Sequence, residues 1–80
     1  NKVYIKDKEF KICKNEQYGK YVSFIPMTEK VELTLKGMKY LLSHYVLTQG
    51  KSICQSNEIV EEEAIITING GKIVVVESHD

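Results

Sequence analysis

The sequence predicts a small α+β domain, an antiparallel sheet of about five strands in the order βββαββ with one helix packed on one face. Three observations predict it. An alternating N-terminal segment breaks at Asp7-Lys8, and two aliphatic runs near the C-terminus flank Asn69-Gly70-Gly71. Between them lies an apolar stripe at helical spacing. Eighty residues are expected to form a single domain, 1–80, with no room for a second core.

Residues 3 to 12 predict a tight hairpin. Placing Asp7-Lys8 at the turn pairs Lys6 with Glu9, Ile5 with Phe10 and Val3 with Ile12, which puts four apolar side chains on one face. Asn15 to Lys20 contains Asn and Gly and predicts a loop. Tyr21 to Ile25 predicts a third strand with Val22 and Phe24 inward, ended by Pro26, the only proline.

Val31-Glu32-Leu33 predicts one more short extended piece. Thr34 then caps a helix from Leu35 to about Gln49, with Gly50 at its C-terminus; Thr28 is the rival start. Leu35, Met38, Leu42, Tyr45 and Val46 fall on one side of that helix, and Leu41 flanks them. Gly37 costs such a helix roughly 1 kcal/mol relative to Ala, a cost that either close approach of another backbone or drift would explain.

Ser52-Ile53-Cys54 reads as a short edge strand within a polar connection. Ala64–Ile68 and Lys72–Val76 predict a final hairpin, because Asn-Gly and Gly-Gly supply the positive φ angles of primed turns. This hairpin is apolar on both faces: Ile66, Ile68, Ile73 and Val75 share one, and Ile65, Val74 and Val76 the other. One helix covers one face only, so the N-terminal hairpin, a second copy or another protein is expected to cover the second.

Composition narrows the function. Eleven Lys and eleven acids give zero net charge, and Arg is absent. Strong nonspecific nucleic-acid binding is therefore not expected, and the bidentate grip of Arg on guanine is unavailable. Two cysteines, Cys13 and Cys54, are too few for a secreted disulfide scaffold and are expected as free thiols. No apolar run is long enough to span a membrane, and the first residues lack a signal-peptide core, so a cytoplasmic location is expected.

Motifs for chemistry are weak. Gln49-Gly50-Lys51-Ser52 ends like a phosphate-binding loop, but Tyr45 occupies the place of its first glycine. Cys13, Cys54, His44 and His79 have no short metal-site spacing, and no third group orients a Cys54–His44 pair. The expectation is no catalysis, no cofactor and no metal.

Charge layout carries more. Residues 1 to 40 hold nine Lys and five acids, net +4; residues 41 to 80 hold two Lys and six acids, net −4. Glu58, Glu61, Glu62 and Glu63 cluster, and Tyr40, His44 and Leu47 form a ridge on the helix face opposite its core stripe. These seven residues are the expected partner-binding set. The expected function is a noncatalytic protein-binding module, with a homodimer as its candidate assembly. Its concrete form is a phage or mobile-element inhibitor of the anti-CRISPR kind, bound to a larger host or defence protein. AT-rich residue usage and small size point that way. Two alternatives stand beside it: single-stranded nucleic-acid binding by Lys2, Lys6, Lys8, Lys11, Lys14 and Lys20 with Tyr4, Tyr18 and Tyr21, and a small-ligand-binding dimer.

Overall fold

Seven strands follow one another along residues 1–50 and 56–79, which the computed structural model describes. They are β1 (Lys2–Lys6), β2 (Phe10–Cys13), β3 (Tyr21–Pro26), β4 (Lys30–Lys36), β5 (Leu42–Thr48), β6 (Glu63–Asn69) and β7 (Ile73–Ser78). One short 3-10 turn, Lys14–Glu16, follows β2. The strands form two antiparallel sheets, ordered β1-β7-β3 and β2-β6-β4-β5, packed over one core. The expected edge strand at Ser52-Ile53-Cys54 lies outside the described residues.

The α+β expectation is wrong, and the error has a local cause. No α-helix occupies Leu35 to Gln49. Those residues finish β4, turn at Gly37 and run back as β5. In β5, Leu42, Tyr45 and Leu47 face the core. Their spacing is three and then two, because the β4–β5 register shifts between Leu33 and Leu35 and His44 sits at φ 50°. One extra residue at such a bulge turns the period of a strand into something that imitates a helix.

Both expected hairpins are also corrected. Val3 does not pair with Ile12, nor Ile66 with a residue of β7. Instead β1 pairs with β7, Val3 opposite Val76 and Ile5 opposite Val74. β2 pairs with β6, Phe10 opposite Ile66 and Ile12 opposite Ala64. Asp7-Lys8-Glu9 and Gly70-Gly71-Lys72 are therefore corners that carry the chain from one sheet to the other. Local alternation is the same for a hairpin and a corner, so the sequence could not separate them.

The core collects the inward residues of both sheets. Val22, Phe24, Ile73 and Val75 come from the three-stranded sheet; Ile12, Val31, Leu33, Leu35, Leu47, Ala64, Ile66 and Ile68 come from the other. Alternation then separates two different outer faces. β4 and β6 turn Glu32, Thr34, Thr67 and Asn69 outward, whereas β1 and β3 turn Val3, Ile5 and Ile25 outward.

Candidate functional site

Gly37 organises one side of the four-stranded sheet. Its φ is +77°, a conformation costly for any residue with a side chain, and a Cβ there would strike the Glu63 carbonyl oxygen. The Gly37 carbonyl accepts hydrogen bonds from the backbone nitrogens of Val60 (3.0 Å) and Glu61 (3.3 Å), and Lys39 N donates to Glu58 O at 2.8 Å. Met38 bridges Ile59. The connection 58–63 is thereby laid along the turn between β4 and β5. The approach of a second backbone accounts for this glycine.

Asn57 fixes the other end of that connection. It is 2% exposed. Its backbone exchanges two 2.8 Å hydrogen bonds with Val22 of β3. Its side-chain nitrogen donates to Tyr40 O at 2.9 Å, and its side-chain oxygen accepts from Tyr40 N at 3.0 Å and Glu58 N at 2.9 Å. A buried amide whose nitrogen and oxygen are both hydrogen-bonded holds three segments at one point.

Beside the Gly37 turn opens a groove of ≈ 650 Å³. Leu41, Leu42 and Ile65 give it an apolar lining, and Glu61, Glu63 and Lys36 give it charge. Its size is that of small-molecule sites, and its mixture of apolar surface with a few polar groups is theirs too. Glu63 also meets Lys11 at 3.8 Å, an exposed pair that water screens.

A second cleft lies between β1 and β2. Tyr4 and Phe10 meet edge to face there, 6.1 Å between centroids. The Tyr4 hydroxyl donates to Glu77 Oε2, and Tyr18 N donates to Glu77 Oε1 at 2.9 Å. Burial, and then the Glu77 carboxylate, push the Tyr4 phenol far above its ordinary range. Cys13, at the far end, has its thiol pushed up chiefly by a hydrogen bond with Glu16. Among the described residues no three of His, Cys, Asp and Glu are gathered as a metal site.

The seven residues expected to bind a partner do not form one surface. Leu47 is wholly buried and so presents nothing to a partner, because it lies on the inner face of β5. Tyr40 is exposed at the turn, with the Lys39 ammonium 5.5 Å from its ring centroid. His44 lies on β5, its Nδ1 3.3 Å from Glu32 Oε1 and its backbone nitrogen donating to Thr34 Oγ1. Glu58 stands between Lys20 (4.0 Å) and Lys39 (3.8 Å). Glu61, Glu62 and Glu63 together line a hollow with Cys13 and Lys14, and Glu61 and Glu63 also border the groove. Sequence reasoning missed Asn57 and Glu77. Only the phase of Ile73, Val75 and Glu77 marked the latter as inward.

Comparison with known proteins overturns the expected function. A family model described as thiamin pyrophosphokinase, vitamin B1 binding domain, matches residues 8–73. The thiamine pyrophosphokinase of Bacillus subtilis is 37% identical over 73 residues, covering 90% of this chain and 34% of that protein. Its crystal structure superimposes with a TM-score of 0.89 at 32% identity, covering 98% of this chain and 37% of the other. The Enterococcus faecalis thiamin pyrophosphokinase family protein gives 0.81 at 29% identity, with coverages of 98% and 36%. The Geobacillus thermodenitrificans enzyme gives 0.83 at 26%, with 98% and 37%.

The chain spans about a third of the length of these relatives. The anti-CRISPR-like inhibitor, its defence-protein partner and the wholly noncatalytic context are thus corrected, since these relatives are pyrophosphokinases. The nucleic-acid alternative falls with them. Small size and an acidic cluster are shared by many unrelated proteins, and neither names a partner. The family match covers 66 of the 80 residues, so the chain belongs to the thiamin pyrophosphokinase vitamin B1-binding domain family.

Proposed function

We propose that this chain binds thiamine and serves as the vitamin-holding part of a thiamine pyrophosphokinase. The observation that carries this reading is the family match over residues 8–73, a span that includes every residue lining the Leu41–Ile65 groove. Tyr4 and Glu77 of the β1–β2 cleft lie outside that span, so the groove is the better candidate for a property of the family.

Thiamine joins a flat aminopyrimidine to a cationic thiazolium bearing a hydroxyethyl arm. In the groove, Leu41, Leu42 and Ile65 contact the rings, and Glu61 and Glu63 favour the positive charge. Group transfer needs the hydroxyl left open at the mouth of the groove. The donor site and the transfer chemistry belong, in this proposal, to the further two-thirds of length found in the relatives. The domain itself contributes binding and orientation, which are large parts of any transfer rate. The proposal places it in the cytoplasm; among the described residues, no helix is long and apolar enough to cross a membrane.

Titration of the chain with thiamine, followed by methyl and amide NMR, tests this. The expected result is saturable shifts at Leu41, Leu42 and Ile65. Glu61→Gln with Glu63→Gln weakens binding by about 1–2 kcal/mol, as two partly exposed carboxylates would. Absence of saturable shifts at millimolar thiamine removes the binding reading. Shifts confined to Tyr4 and Phe10 move the site to the other cleft.

A further inference from the structure

The corner between β6 and β7 carries chemistry that the binding reading does not use. Asn69 ends β6 and is exposed, and Gly70 follows it at φ +75°. Nothing lies within 4 Å of the position a Cβ of Gly70 would take. Gly71, by contrast, is packed: a Cβ there would strike Thr28 Oγ1 and crowd the Lys30 carbonyl. The corner is anchored after Gly70 and open at Gly70 itself.

An asparagine amide carbon is an electrophile within reach of the next backbone nitrogen when no side chain shields that nitrogen. We propose that Asn69 is a site of spontaneous self-modification, converting to aspartate and isoaspartate through a cyclic imide with Gly70. The Gly70 nitrogen bonds to Asn69 Cγ. The Cγ–Nδ2 bond breaks, and ammonia departs with the proton lost by Gly70. Solvent water then opens the ring at either carbonyl, giving the α-linked or the β-linked acid. No oxidant or reductant takes part.

The other asparagines serve as internal comparators. Asn1, Asn15 and Asn57 are followed by Lys2, Glu16 and Glu58, whose side chains shield the attacking nitrogen. Asn57 is also buried, and both ends of its amide are hydrogen-bonded.

The consequence is set by the strand register. Asn69 stands directly opposite Glu32 of β4, and its Nδ2 donates to Glu32 Oε1 at 3.4 Å. His44 Nδ1 reaches that same oxygen at 3.3 Å. Conversion removes the donor and sets a carboxylate against a carboxylate across the strands, an unfavourable pair. The β-linked product also adds a backbone carbon at the end of the ladder, which disturbs its register. Age of the molecule would thereby loosen this end of the central β4–β6 ladder, whatever the domain binds.

The purified chain, held at 37 °C in mildly alkaline buffer and mapped by peptide mass spectrometry with isoaspartate detection, tests the site. Acid is expected at position 69 before any at 15 or 57. An amide retained at 69 while Asn15 converts, or equal rates at the two, overturns the proposal. A second measurement addresses the consequence. Asn69→Asp should lower the melting temperature, and adding Glu32→Gln should restore most of the loss; unchanged melting of Asn69→Asp overturns the coupling to Glu32.

Discussion

Tyr4 and Glu77, 73 positions apart, are hydrogen-bonded partners: the Tyr4 hydroxyl donates to the carboxylate of a glutamate that is 2% exposed. Tyr18 N supplies a second donor. The bond ties the first strand to the last and explains how an acid sits in an aliphatic run. Tyr4→Phe leaves Glu77 buried with one partner fewer and is expected to cost about 1–3 kcal/mol in chemical denaturation. The same phenol gives a pH dependence. Its value is raised on folding, so its contribution is complete below its ordinary range near ~10 and falls above it, as the unfolded chain ionises first. Tyr4→Phe should flatten that alkaline slope.

Gly37→Ala tests the site's scaffold. The substitution forces a side chain into φ +77° and against the Glu63 carbonyl. A loss of at least ~2 kcal/mol is expected, since strain at a special φ adds to a backbone clash. Amide exchange at Val60 and Glu61, both bonded to the Gly37 carbonyl, should rise most.

Asn57→Ala removes the acceptor of Tyr40 N and Glu58 N and the donor to Tyr40 O, all in part-buried hydrogen bonds. Groups left without these partners predict a loss of roughly 1–3 kcal/mol by urea denaturation. Asn57→Asp keeps the acceptor but loses the donor to Tyr40 O, and should destabilise as well. Shape alone does not restore the clamp.

Cys13 should react slowly with iodoacetamide at neutral pH. The hydrogen bond with Glu16 raises its thiol, so less thiolate is present than for an ordinary cysteine. Glu16→Gln is expected to shift the alkylation profile to lower pH. An unchanged profile would dissociate Glu16 from the thiol.

Leu47→Ala separates the two readings of residues 35 to 49. An exposed helical ridge would tolerate it. A wholly buried leucine between two sheets should lose 2–5 kcal/mol by thermal or denaturant melting, roughly the range for truncation in a core.

The same residues show how far the sequence was legible. Val22 and Phe24 of β3 alternate cleanly and are buried, as their period of two requires. Gly37 was legible as an anomaly that a close backbone or drift would explain; the structure supplies the close backbone and places the glycine in a turn. Leu47, read as exposed, and Val46, read as inward, were misread because the bulge at His44 breaks the period that identifies a strand, whereas Tyr45 does pack against the core. Asn57 carried no signal: its role comes from Val22, 35 positions away, and from Tyr40, 17 away. Glu61 and Glu63 were legible as a charge cluster, but the apolar walls beside them come from β5 and β6, which the expected helix had separated.

By itself the sequence determined which residues alternate, where the chain must turn, and that the last ribbon is aliphatic on both sides. Those are properties of neighbours along the chain, set by side-chain period and by glycine's freedom at positive φ. Only the tertiary structure decided that β1 pairs with β7 and β2 with β6, that two sheets enclose the core, and that the Gly37 turn meets the connection after Asn57 beside a groove. Pairing partners far apart in sequence compete on total burial and on hydrogen-bond satisfaction across the whole molecule, and no local pattern contains that sum.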